Sequence, residues 1–221
     1  MMNDVIFNHN TNDPISMFDD WGLVLTKVEN PLPTPKLVTV DIMGADGVLD
    51  LSEVATGELR YNNRTIKLTF EMLEVKNYNT LITEIANRLH GKNVTLLFTN
   101  DDQYYYTGRA TISEWECSQN QGTVVIDVDA YPYKLAVYET TLSYSIDGAT
   151  TKYFNSDTTQ SVCPKLEVTG TITIKVGEKT ALYTAGTYVN NIILIKNGVN
   201  SIEFVEISSG TVKLTYRSGV F

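Results

Sequence analysis

The residues best able to perform chemistry are two histidines, two cysteines and several carboxylates, so their spacing is the first test of an enzymatic function. His9 lies in a polar stretch, and His90 lies at the end of a predicted helix. Neither has a serine or cysteine near it in sequence, and the chain contains no GxSxG, HExxH or glycine-rich phosphate loop. A histidine at a helix C-terminus is favoured by the helix dipole whatever the protein does. We therefore predict a structural role for His90.

One stretch, 42–53, partly matches a calcium-binding EF loop. Asp46, Gly47, Asp50 and Glu53 fall at four of the positions that such a loop conserves. Its first and third positions, however, would be Ile42 and Gly44, which offer no side-chain oxygen. The stretch therefore predicts a glycine-rich hairpin tip and no metal site.

The other reactive side chains also lack a catalytic pattern. Cys117 and Cys163 form no CxxC pair, and we expect free thiols in a reducing compartment, since the N-terminus shows no export signal. A glycosidase carboxylate pair such as Glu114 and Glu116 is defined by spatial separation, which leaves this alternative open. The run Tyr104–Tyr106 could stack on a sugar, but adjacent strand residues alternate faces, which favours packing. We expect no cofactor, no metal and no enzymatic activity.

Composition and charge exclude several classes of protein. The 221 residues are 43% hydrophobic and 19% charged, which is typical of a globular protein, and no apolar run is long enough to span a membrane. Residues 1–136 contain ten Lys/Arg and nineteen Asp/Glu, whereas residues 137–221 contain seven of each. An acidic domain repels phosphate groups, so we expect neither specific nucleic-acid binding nor membrane binding. The change in charge, close to Pro132, predicts two domains, 1–136 and 137–221.

The first domain shows the two-residue alternation of half-buried strands and one helical pattern. The alternation predicts antiparallel strands at Trp21–Val28, Thr65–Phe70, Ala110–Trp115 and Thr123–Val128. The stretch from Thr80 to His90 has one apolar stripe, formed by Leu81, Ile82, Ile85, Ala86 and Leu89. We predict a helix there, with Asn79 or Thr80 as its N-cap and Gly91 as its left-handed stop.

A proline-rich excursion and a glycine-rich turn predict a long hairpin. Pro31, Pro33 and Pro35 favour an extended segment, after which Lys36–Ile42 alternates and meets the turn Met43–Gly47.

The second domain is predicted to consist only of strands. One hairpin is predicted from Thr171–Val176 and Thr180–Tyr183. A second hairpin is predicted from Ile192–Ile195 and Ser201–Ile207, with its turn at Asn197-Gly198. A last strand is predicted at Thr211–Tyr216. The predicted fold is mainly β: an N-terminal β-sandwich-like domain with one α-helix and an extended hairpin, then a small β-sandwich.

The order of these features resembles the distal tail protein (Dit) family of long-tailed phages of Gram-positive bacteria. Five stretches carry the resemblance: Trp21-Gly22-Leu23, Met43–Asp50, Tyr61-Asn62-Asn63-Arg64-Thr65-Ile66, Tyr131-Pro132-Tyr133-Lys134 and Gly210–Gly219. In the second of these, the family often has proline in place of Met43. The resemblance spans essentially the whole chain.

The resemblance implies a structural role. Such proteins form hexameric rings, single or stacked, at the tip of a non-contractile tail, where they join the tail tube to the tail-tip protein. A galectin-like second domain anchors receptor-binding proteins. This places the protein at the virion tail tip, after assembly in the host cytoplasm. We expect the hairpin to hold the neighbouring subunit through Pro31, Pro33, Pro35, Met43, Gly44, Asp46, Gly47 and Leu49.

Two other functions remain open. A carbohydrate-binding or receptor-binding module would recognise host cell-surface polysaccharide and would give a signal on a glycan array. A cell-wall hydrolase would need carboxylates that converge in a cleft.

Overall fold

The computed structural model describes residues 4–72, 78–118, 122–207 and 210–221. Two compact units divide the chain: one is Met1–Lys134 together with Phe221, and the other is Leu135–Val220. The described residues form nineteen strands and one helix, so the prediction of a mainly β fold is confirmed. None of the helical residues described forms a segment long and apolar enough to cross a membrane.

The first unit consists of one large sheet, one helix and a separate hairpin. Its strands are β1 Val5–Phe7, β2 Ile15–Ser16, β3 Leu23–Glu29, β4 Thr39–Asp41, β5 Val48–Asp50, β6 Arg64–Met72, β7 Asn93–Phe98, β8 Tyr104–Cys117 and β9 Gly122–Ala130, and its helix is α1 Tyr78–Leu89. Seven of these strands lie side by side in the large, nine-stranded sheet, in the order β2-β1-β7-β8-β9-β6-β3. All neighbouring pairs in this order are antiparallel.

The core of the first unit lies between the large sheet and the helix. Alternate residues of β6 are fully buried, namely Ile66, Leu68 and Phe70, whereas Lys67 and Thr69 between them are half-buried. Ile85 and Leu89 of α1 pack into the same cluster. The strand and helix periods visible in the sequence therefore mark the two layers of this core.

The helix is confirmed, but its predicted N-cap is wrong. The helix begins at Tyr78, which places both Asn79 and Thr80 inside the first turn. The Tyr78 ring packs against the core and lies so close to Gly122 that a Cβ there would meet the ring at 3.1 Å. Tyr78 lies one turn before Ile82, so the apolar stripe of the helix begins one turn earlier than the sequence predicts. The predicted stop is confirmed, since Gly91 follows the helix with φ of 73°.

The second unit is a small β-sandwich. The strands after β9 are β10 Lys134–Ala136, β11 Thr140–Ile146, β12 Thr150–Ser156, β13 Lys165–Thr169, β14 Ile172–Val176, β15 Lys179–Tyr183, β16 Gly186–Tyr188, β17 Gly198–Ile207, β18 Gly210–Tyr216 and β19 Gly219–Val220. Two four-stranded sheets have the orders β11-β18-β13-β16 and β12-β17-β14-β15. Leu166 and Leu214 of the first sheet share one core with Ile174 and Phe204 of the second.

One predicted hairpin of this unit is confirmed and the other is wrong. The strands β14 and β15 pair across the predicted turn. By contrast, Ile192–Ile195 forms no named strand, and β17 pairs with β12 and β14 instead. Ile193 and Ile195 are buried because they fill the core, and among the described residues the backbone around them makes a single bridge, to Val162. The apolar run therefore reflects burial and not strand pairing.

Candidate functional site

The most exposed apolar feature of the first unit is the hairpin of β4 and β5. Within the part of the chain that the structure describes, these strands pair only with each other, with Val40 opposite Leu49. Gly44 and Gly47 at the tip have φ of 83° and 77°, a left-handed conformation that glycine adopts without strain. The hairpin predicted from the alternation and the two glycines is therefore confirmed.

One face of this hairpin is apolar and uncovered. Val38, Val40 and Ile42 alternate along the first arm, and Leu49 lies opposite Val40 on the same face. The exposed fraction is 43% for Val40, 47% for Ile42 and 47% for Leu49, and Met43 at the tip is fully exposed. A two-stranded ribbon is only marginally stable in water, and an apolar patch of this kind marks an interaction surface. We call these five residues (Val38, Val40, Ile42, Met43 and Leu49) the hairpin face.

The residues predicted to hold a neighbouring subunit lie in two places. Met43, Gly44, Asp46 and Gly47 lie at the tip of the hairpin and Leu49 lies in its second arm, whereas the three prolines precede its first arm. That prediction did not include Val38, Val40 and Ile42, although the alternation over 36–42 marks them as one apolar face.

The three prolines lie at the base of the hairpin. Pro33 is buried, whereas Pro31 and Pro35 are exposed, and Pro35 forms a bridge to Tyr61. The Lys36 amide donates to the Arg60 carbonyl at 2.7 Å, and the Asn62 amide donates to the Thr34 carbonyl at 2.9 Å. These bonds pair the proline segment with the segment that follows the hairpin, and the arms beyond it are exposed.

A buried arginine lies where this base meets the core. Arg64, at the start of β6, is 5% exposed, and its guanidinium lies 4.8 Å from the centre of the Tyr106 ring. Within the described residues its Nε and Nη2 atoms have no hydrogen-bond partner, and burial lowers the pKa of Arg64. Asn30 Nδ2 donates to the Tyr106 hydroxyl at 2.9 Å, which links the residue before the prolines to this pair. The Tyr106 ring partly compensates the buried charge.

The stretch that resembles a calcium loop has a different local role. Asp50 Oδ1 accepts hydrogen bonds from the Ser52 hydroxyl and from the Ser52 amide, the latter at 2.8 Å. These bonds lower the pKa of Asp50. Across the part of the chain that the structure describes, no three His, Cys, Asp or Glu side chains converge as metal ligands. Asp50 therefore stabilises the end of β5.

His90 is bound to a strand. Its Nδ1 accepts a hydrogen bond from the Ile112 amide at 3.1 Å, next to an irregularity in the pairing of β8 with β9. An acceptor Nδ1 bears no proton, so this contact uses neutral imidazole. The structural role predicted for His90 thus rests on this bond rather than on a charge at the helix end.

The remaining candidates for chemistry are dispersed. Tyr105 and Tyr106 are buried, which confirms the packing prediction and leaves no row of three tyrosines for a sugar. Glu114 pairs with Lys67 at 3.4 Å on the exposed surface of the sheet. Cys117 and Cys163 are both free thiols, as expected.

Comparison with known proteins gives a match at the level of structure. No family model matches the sequence, and no curated protein matches it. The crystal structure of Dit from phage SPP1, described as a paradigm of the hub of the adsorption apparatus in phages that infect Gram-positive bacteria, has a TM-score of 0.71 at 10% identity, over 98% of this chain and 99% of that chain.

Two structures of the phage p2 baseplate in its activated conformation were also found. The one with strontium has a TM-score of 0.46 at 9% identity, and the one with calcium has 0.45 at 10%, each over 100% of both chains. Scores this low do not support an assignment. The fold of this chain, over nearly its whole length, is therefore that of the SPP1 Dit protein.

Proposed function

We propose that this protein is a non-enzymatic hub of a long, non-contractile phage tail tip, in which six copies form a ring. The observation that carries the proposal is the full-length structural match to SPP1 Dit, which its own description places in a hub. The protein would then be located at the virion tail tip.

The hairpin face supplies the contact that such a ring needs. A ring is closed by a heterologous interface, in which one surface of each copy meets a different surface of the next. The hairpin is suited to be one of these two surfaces, because its apolar side chains are exposed in the single chain. Backbone bonds between its proline base and the segment 60–62 close the ribbon at its base, so less chain entropy is lost on docking.

The charge of the chain is consistent with a channel through which DNA passes. The net charge of −9 is carried by residues 1–136, the part that would build the ring. Carboxylates along a channel would keep DNA from binding as it passes. The partners of the ring would be the tail tube protein on one side and the tail-tip protein on the other, with receptor-binding proteins on the second unit.

Light scattering on a sizing column tests the ring directly. The chain has a mass of 24.7 kDa, so a single ring should give about six times this value, and stacked rings about twelve times. A monomer that persists at high protein concentration would contradict self-assembly through the hairpin face.

A module that binds host polysaccharide is the alternative, and one feature of the second unit favours it. A cleft of about 590 Å³ is lined there by apolar residues such as Phe154 and Leu194 and by polar residues such as Lys179 and Asn200. Binding on a glycan array by a monomeric protein would support this alternative. A ring that binds no glycan would support the hub.

A further inference from the structure

One edge of the large sheet is left open along the second half of β8. The strand β7 pairs with β8 only as far as Arg109, whereas β9 pairs with β8 up to Cys117. On the β7 side, Ala110 bonds to the backbone of Gly91 and Lys92, and the Ile112 amide bonds to His90. From Ser113 to Cys117, no described strand covers this side. We call these five residues the β8 edge.

The β8 edge is exposed and has a large aromatic anchor. All five of its side chains are exposed, and Trp115 has 55% of its surface accessible. Trp115 lies opposite Val124, which belongs to the core cluster, so its ring is on the helix side of the sheet. Two shallow depressions of about 390 and 420 Å³ lie beside the edge, one along 112–116 and the other beside Glu116, Cys117 and Thr123. An unpaired edge with room beside it can accept an added strand.

The other face of the same edge is acidic. Glu114 and Glu116 lie opposite Val125 and Thr123, on the side of the sheet away from Trp115. Glu71 lies opposite Thr123 from the neighbouring strand and adds a third carboxylate to this face. Lys67 offsets part of the charge by its pair with Glu114, whereas Glu116 has no ion pair among the described residues.

We propose that the β8 edge is a strand-addition site for an extended segment of a partner protein in which apolar and basic residues alternate. In a strand paired to this edge, every second side chain lies on the Trp115 side and the others lie on the glutamate side. Apolar groups suit the first position, and lysine or arginine suits the second. Charge selects against a second copy of this chain, because its exposed hairpin has Asp41 and Asp50 between its apolar residues.

Peptide binding to the full chain tests the proposal. The probes are an eight-residue peptide of alternating lysine and valine, the same peptide N-methylated at alternate residues, and one with glutamate in place of lysine. Trp21 is 8% exposed, so a blue shift of tryptophan fluorescence on binding would come mainly from Trp115. We expect saturable binding of the lysine peptide only. Trp115→Phe should abolish the shift while calorimetry still detects binding.

Charge reversal at the edge gives the matched comparison. The double substitution Glu114→Lys with Glu116→Lys should lower the affinity for the lysine peptide about tenfold and make the glutamate peptide the tighter ligand. Asp102→Lys, an exposed site before the other end of β8, is the control and should change neither affinity by more than about twofold. The proposal is overturned if the lysine peptide does not bind at millimolar concentration, if N-methylation has no effect, or if reversal leaves the preference unchanged. These outcomes do not depend on whether the protein forms a ring.

Discussion

At the scale of single residues, His90 and Arg64 show two ways in which a polar side chain is used in the first unit. His90 accepts a hydrogen bond from a strand amide, so it joins the end of the helix to the sheet. Arg64 is buried beside Tyr106, and two of its three guanidinium nitrogens have no partner in the described residues. The hydrogen bond of His90 stabilises the local backbone, whereas burial of Arg64 costs desolvation energy that the contact with the Tyr106 ring partly offsets.

Replacing His90 should show what its hydrogen bond contributes. In His90→Ala the Ile112 amide loses its acceptor, and we expect the free energy of unfolding to fall by about 1 kcal/mol. His90→Asn keeps an acceptor near the position of Nδ1 and should retain most of the stability. Urea denaturation of the three proteins at neutral pH measures the difference. Equal losses in both variants would mean that the hydrogen bond is not the reason.

At the scale of elements, the hairpin differs from every other strand pair of the first unit. The large sheet buries one side of its strands against the helix, whereas the hairpin buries neither side. Its apolar residues therefore add nothing to the buried core of the first unit. A partner surface would gain free energy from covering them, at about 25 cal/mol per Å² of apolar area.

Polar substitutions on the two sides of the hairpin should have different effects. Val40→Ser with Ile42→Ser removes apolar area from the hairpin face, so we expect loss of the proposed ring with little change in the melting temperature of the monomer. Val48→Ser, at a more exposed residue on the opposite face, is the control and should leave the proposed ring intact. Light scattering gives the mass, and circular dichroism gives the melting temperature. A ring that survives the double substitution would exclude the hairpin face as the contact.

At the scale of the whole molecule, the dominant property is that the net charge is unevenly distributed along the chain. The first 136 residues carry the entire net charge of −9, and a ring would place six such acidic parts side by side. Like charges at this density repel one another, and dissolved salt screens the repulsion. Contact through apolar side chains is not weakened by salt in the same way.

The mass of the assembly should therefore depend on ionic strength. We expect added sodium chloride to shift the equilibrium from monomer toward the proposed ring, because screening removes repulsion while the proposed contact through the hairpin face persists. Light scattering across a salt series at constant protein concentration measures the shift. A ring that dissociates as salt is added would show instead that ion pairs hold it together.

The sequence by itself determined the elements whose signal is local. Strand alternation, the helical stripe from Leu81 to Leu89, the glycine stop at Gly91 and the hairpin turn at Gly44 and Gly47 each depend on residues close together in the chain, and each is present in the structure. The division of charge between the two parts of the chain also follows from the sequence alone.

Only the tertiary structure decided which of these groups are covered. The apolar run 192–195 suggested a strand and instead fills the core of the second unit, whereas the similar pattern over 36–42 is exposed. The open edge of β8 exists because β7 stops pairing at Arg109, and the acceptor for the Ile112 amide comes from the end of the helix. Periodicity shows which side of an element is apolar. Whether that side is buried depends on contacts between residues far apart in the chain, which no local pattern encodes.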